Sequence, residues 1–145
     1  MGIVPVRAYY RKDLALAQLE TALRIFFEGS DHASVVTLAG AADEIFGQLL
    51  AASGHEHSLA SLVAAVTAIQ EKLFGEADAP KLIADRANAA RNSFKHWNVG
   101  DTEIVKFNLE VEACDMLNRA IDNYWTLEQR LTPAMERFQR ELRSA

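Results

Sequence analysis

Six consecutive residues near the middle of the chain, Arg91 to His96 (RNSFKH), carry side chains suited to acid–base chemistry on a phosphate. An Arg guanidinium can neutralise phosphate charge, and a His imidazole can move a proton near neutral pH. The spacing places Arg91, Asn92 and His96 on about one and a half turns of a helix. Cleavage of RNA without a metal requires this pairing of a cation with a group that moves protons.

The apolar residues around this motif recur at steps of three or four, as on one face of a helix. They are Ile83, Ala87, Ala90, Phe94 and Trp97. A polar stripe with the same spacing carries Asp85, Asn88, Asn92 and His96, and beside it lie Arg91 and Lys95. We therefore predict one helix from Pro80 to about Trp97, which buries Phe94 and Trp97 and exposes Arg91, Asn92, Lys95 and His96.

The composition favours a helical domain. The 145 residues suffice for one domain with one core, and half of them are apolar. Seven Gly and three Pro are too few for the frequent turns of a sandwich or barrel. We predict an all-α fold with an N-terminal arm over residues 1–12 and one antiparallel bundle of five to six helices over residues 13–145.

Apolar periodicity and capping residues predict the remaining helices. They are expected over about 13–28, 31–52, 58–75 and 108–127, with a short last helix that starts at Thr132-Pro133. Asp31, Ser58 and Asn108 are the expected N-cap residues. Residues 102–107 are expected to form a short extended segment.

Charge and hydropathy limit the partners. The formal net charge of −5 argues against binding of nucleic acid by bulk electrostatic attraction, because phosphate contacts require cations. No run approaches the roughly 18–20 apolar residues of a membrane span, and the first residues lack the pattern of a secretory signal. The single cysteine, Cys114, is expected to be a small core residue in a reducing compartment. We predict a cytoplasmic protein with no membrane partner.

The Arg-Asn-x-x-x-His pattern near the end of a helix resembles the motif of the HEPN superfamily, small helical bundles that include metal-independent endoribonucleases. The matching residues are Arg91, Asn92 and His96. The resemblance implies a homodimer in which two copies of the motif form a composite site. It also implies that His96 acts as general base or acid, that Arg91 stabilises phosphorane charge, and that Asn92 orients the His or contacts phosphate. RNA is the implied substrate because it carries the 2′-hydroxyl nucleophile.

A second segment, residues 38–47 (LAGAADEIFG), resembles a helix of small bacterial HEPN-like proteins. Gly40, Asp43 and Gly47 fall on one face of it, and each interior Gly costs a helix about 1 kcal/mol relative to Ala. A packing reason is therefore expected, namely a flat groove that receives the helix of the motif. Asp43 or Glu44 would then pair with Arg91 or Lys95, or orient His96, and Asn88 would support the site on the polar stripe.

Metal binding is not expected. His55, Glu56 and His57 lie in a connector and His32 is distant in the sequence, so the closed ligand spacing of a strong metal site is missing. We predict no metal and no cofactor.

Several functions remain open at this point. The first is a metal-independent endoribonuclease of toxin or antiphage-defence type, with a neutralising partner protein. The second is a non-catalytic module that binds a nucleotide or a protein through the same polar stripe. The third is a structural dimer or an antitoxin-like partner.

Overall fold

A computed structural model describes residues 2–145, and Met1 of the predicted arm lies outside this range. Within it the chain forms seven helices and no strand: α1 (Arg11–Glu28), α2 (His32–Ala52), α3 (Ser58–Phe74), α4 (Pro80–Ala87), α5 (Ala89–Lys95), α6 (Leu109–Glu128) and α7 (Pro133–Arg143). The all-α prediction is confirmed. Residues 2–10 have no regular structure and are exposed, and α1 begins two residues before the predicted boundary of the arm.

Helix α2 is the centre of the fold and packs between α1 and α6. It contributes large buried side chains such as Phe46 and Leu50, and it meets Leu19 and Leu23 of α1 and Ile121 of α6. Helix α7 closes one end, where the ring of Phe138 meets that of Phe26 edge to face, with 5.4 Å between centroids. The half-buried Cys114 packs against this core, and burial raises the pKa of its thiol.

Helix α2 also has the length and mean hydropathy of a membrane span, 21 residues and 1.3. Half of its most apolar window is buried inside the bundle. A core helix of a soluble protein has the same length and composition, so this feature is weak evidence for a membrane segment.

Most predicted helix starts are confirmed by capping hydrogen bonds. The side chain of Asp31 accepts from the backbone N–H of Ser34, Asn108 accepts from Val111, and Thr132 accepts from Met135. Ser58 is not the cap of α3, contrary to the prediction. His57 is the N-cap, because its Nδ1 accepts from Ala60, while the N–H of Ser58 donates to Asn123 of α6 at 2.7 Å.

The single helix predicted from Pro80 to Trp97 is two helices in the structure. It breaks at Asn88, which ends α4 with φ −101° and ψ 4°. The guanidinium of Arg119 donates to the carbonyl oxygen of Ala87 at 3.2 Å, so a tertiary contact stabilises the break.

Helix α5 ends earlier than predicted. His96 follows it in an extended conformation, with φ −130° and ψ 138°. The prediction that Trp97 belongs to the core is wrong, because 70% of its surface is exposed. Phe94 is half-buried as predicted, and its ring packs edge to face on Phe107, with centroids 5.6 Å apart.

Candidate functional site

The side chain of Arg91 lies flat against Gly40 of α2. A Cβ atom at position 40 would be 2.5 Å from Cδ of Arg91 and 2.7 Å from its Cγ, so only glycine leaves room for this side chain. The Arg91 side chain is 11% exposed, and its Nη1 lies 4.0 Å from Asp43 and 3.9 Å from Glu44. The groove predicted from the glycines of α2 is present and contains the stem of Arg91.

The carboxylate of Asp43 joins α2 to α6 through two hydrogen bonds. Its Oδ2 accepts from Nη2 of Arg119 at 2.7 Å, and its Oδ1 accepts from Nδ2 of Asn123 at 3.0 Å. The side chains of Asp43 and Arg119 are 4% and 9% exposed. Burial raises the pKa of Asp43, against the opposing effects of Arg119 and Arg91, and burial also lowers the pKa of Arg119. The ion pair is therefore strongly desolvated, and each charge depends on the other.

Asn88 lies beside this network at the break between α4 and α5. Its side chain is buried, and its Oδ1 has no hydrogen-bond partner among the described residues. The same holds for Nε of Arg91 and Nε of Arg119. Asn88 and Arg91 line a small cavity of about 210 Å³ with Asp43, Gln48 and His57 among its other walls. Asn88 is therefore part of the interior beside Arg91, and it does not share one polar stripe with Asn92 and His96, as was predicted.

Asn92 of α5 and His96, which follows α5, lie away from this small cavity. They line an open cleft of about 960 Å³ between the end of α5 and the following loop. The other lining residues are Ser93, Trp97, Asn98, Asp101, Thr102, Glu103 and Val105. Asp101 shapes this loop, since its carboxylate accepts from the backbone N–H of Asn98 at 2.8 Å and its carbonyl oxygen accepts from Nε1 of Trp97 at 3.3 Å.

The structure thus separates the three residues of the predicted catalytic motif. Asn92 and His96 share the exposed cleft, whereas Arg91 lines the small cavity against α2. The prediction that Arg91 is exposed is wrong, because its aliphatic stem packs on Gly40 and its charge is directed at the acidic residues of α2.

The remaining predicted residues have simple environments. Lys95 is exposed and makes no ion pair within 4.0 Å among the described residues. Of the two cations predicted to pair with Asp43 or Glu44, it is therefore Arg91 that lies near these carboxylates. Glu44 is itself half-exposed. In residues 2–145 no group of three His, Cys, Asp or Glu side chains is arranged to hold a metal ion.

The sequence analysis missed Arg119 and Asn123, and it considered His57 only as a metal ligand. Arg119 and Asn123 are four residues apart on α6, at the edge of its apolar stripe, so the signal was a pair of polar residues at near-core positions. His57 gave no comparable signal, because its capping role depends on where α3 begins.

No protein-family model, curated protein or solved structure matches this chain. The all-α architecture rests on the helices described above. The resemblance to the HEPN superfamily rests on two short motifs, Arg91-Asn92-x-x-x-His96 and residues 38–47.

Proposed function

We propose that this chain is a HEPN-like binding module in which Arg91 stabilises the helical bundle and the cleft at the end of α5 binds a partner protein. The main support for this proposal is that Arg91 and His96 line separate cavities. A group that stabilises a transition state must reach the atoms on which charge develops. Within one chain, the guanidinium of Arg91 is instead directed at Asp43 and Glu44.

The charge of the cleft supports a partner other than RNA. Among the described residues that line it, none is Lys or Arg, and two, Asp101 and Glu103, carry carboxylates. Nucleic-acid affinity comes largely from cations that neutralise phosphates. A phosphate chain would therefore meet net repulsion in this cleft.

The apolar surface of the same region supports a protein partner. Trp97 and Val105 line the cleft and are 70% and 51% exposed, and the residues Val99 and Ile104 of the same loop are exposed as well. Clustered apolar residues on a surface often mark interaction sites, and Trp is enriched among the residues that contribute most to binding energy. We infer that Trp97 is the central contact residue of this surface.

A comparison of the two tryptophans tests this function. We expect Trp97→Ala to abolish capture of the partner in a crosslinking pull-down from the native host. Trp125→Ala is the matched control, because Trp125 is about half-exposed on α6 and distant in sequence, and it should leave capture unchanged. Equal capture by both variants and the unmodified chain would contradict a binding role for the cleft.

The metal-independent endoribonuclease is the second candidate, favoured by the shared exposure of Asn92 and His96 in one cleft. In this case His96 would move the proton of the 2′-hydroxyl.

The nuclease candidate is tested by incubating mixed RNA and EDTA with the pure protein, with His96→Ala and with Arg91→Ala. The temperature is one at which circular dichroism shows all three proteins to be folded. We expect equal background cleavage in all three samples. Cleavage that survives EDTA and disappears in the His96→Ala variant would establish the nuclease and overturn the non-catalytic proposal.

A further inference from the structure

Helix α3 exposes an apolar face along its whole length. Its sequence, SLASLVAAVTAIQEKLF, contains only two charged residues, yet none of its residues, all of which the structure describes, is buried. Leu62, Ile69 and Leu73 on its outer face are 38%, 57% and 67% exposed. A helix of this composition is normally covered. No other described part of the chain packs over this face of α3.

The opposite side of α3 already has its partners. It packs mainly against α4 and α6, and it is tied to α6 at its first turn by the hydrogen bond from Ser58 to Asn123. The exposed face is therefore held in a fixed orientation.

We propose that this face pairs with the same face of a second copy of the chain, with the two α3 helices antiparallel about a two-fold axis near residues 65 and 66. In this register Leu62 of one copy lies opposite Ile69 of the other, since the two positions are equally far from the axis. The exposed small residue Ala65 lies near the centre, where it lets the helices approach closely.

The charges near the ends of the face are complementary under this symmetry. Exposed Glu56 precedes the first turn of α3, where its carboxylate accepts from the hydroxyl of Ser61, and exposed Lys72 lies in the last turn. Antiparallel pairing brings Lys72 of each copy within about one helical turn of Glu56 of the other. Parallel pairing would instead place like charges together. Charge complementarity therefore favours a second copy of the chain, bound antiparallel, as the partner of this face of α3.

The interface is small. Helix α3 has 17 residues and is about 25 Å long. Phe74 at its end and Leu82 on α4 add further exposed apolar surface. The area buried by one helix and the residues beside it lies at the lower end of the range for specific interfaces. We expect a dimer that dissociates in the micromolar range, separate from the cleft at the end of α5.

Sedimentation velocity across a concentration series tests the proposal. The unmodified chain should change from monomer to dimer as its concentration rises through the micromolar range. Ile69→Glu should remain monomeric throughout, with unchanged helical content, because Ile69 faces solvent in the single chain. Leu14→Glu is the matched control, an exposed leucine of α1, and should dimerise as the unmodified chain does.

Charge reversal tests the identity and direction of the partner. Lys72→Glu should weaken the dimer at least several-fold, and the double change Glu56→Lys with Lys72→Glu should restore it. A monomer at every concentration up to the millimolar range would overturn the proposal and leave a different protein or a lipid surface as the occupant. A dimer that persists in Ile69→Glu but is lost in Trp97→Ala would place the interface at the cleft instead and would equally overturn it.

Discussion

Replacing Arg119 by Ala should lower the free energy of unfolding by about 3–5 kcal/mol, the usual effect of breaking a buried ion pair from one side. The variant leaves the carboxylate of Asp43 buried without the Nη2 donor that lies 2.7 Å away. It also removes the hydrogen bond from Arg119 to the carbonyl oxygen of Ala87 at the break between α4 and α5. Urea unfolding followed by circular dichroism measures the loss.

Two further variants show whether the loss of stability in Arg119→Ala comes from the unpaired buried charge of Asp43. Arg130 is exposed, so Arg130→Ala should change the free energy of unfolding by no more than about 0.5 kcal/mol. Adding Asp43→Asn to Arg119→Ala should recover part of the loss, since the amide keeps an oxygen for Asn123 and removes the buried charge. A loss below about 1 kcal/mol in Arg119→Ala would mean that the two side chains are not a desolvated pair.

The two interior glycines of α2 should respond to alanine in opposite directions. At Gly40 the new Cβ would lie 2.5 Å from Cδ of Arg91. Overpacking of this kind costs about 1–3 kcal/mol, and the better helix propensity of Ala returns only about 1 kcal/mol. We therefore expect Gly40→Ala to destabilise the fold by up to about 2 kcal/mol.

Gly47→Ala is the matched control on the same face of the same helix. Its Cβ would meet Asn123 and His57 at 3.7 Å, an ordinary van der Waals distance. The gain in helix propensity should then remain, and the variant should be more stable than the unmodified chain by up to about 1 kcal/mol. Thermal unfolding of the two variants side by side gives the comparison, and equal shifts would contradict the close approach of Arg91 to Gly40.

The helices themselves could largely be predicted from the sequence, because caps and apolar stripes are local signals. Asp31, Asn108 and Thr132 start their helices with the hydrogen bonds expected of them. The break at Asn88 could not be predicted, because it depends on Arg119, 31 residues further along the chain. The exposure of α3 could not be predicted either. Periodicity identifies an apolar face and does not say what covers it.

The site was partly predictable for a similar reason. Two glycines and a carboxylate on one face of α2 predict a groove that receives another helix, and Arg91 occupies it at Gly40. Helical phasing placed Arg91 beside Asn92 and His96 on one predicted helix, but it did not say which side of that helix faces α2. Because the stem of an Arg is apolar, this residue can pack against a helix and still pair its charge.

A double-mutant cycle between Gly40 and Arg91 tests most directly whether Arg91 is a structural residue on α2. The cycle needs the free energies of unfolding of the unmodified chain, Gly40→Ala, Arg91→Ala and the double variant. With Arg91 truncated the clash disappears, so Gly40→Ala should become stabilising by up to about 1 kcal/mol in that background, whereas it destabilises the unmodified chain. If Gly40→Ala has the same effect in both backgrounds, then Arg91 does not occupy the groove and its guanidinium is available to the cleft of His96.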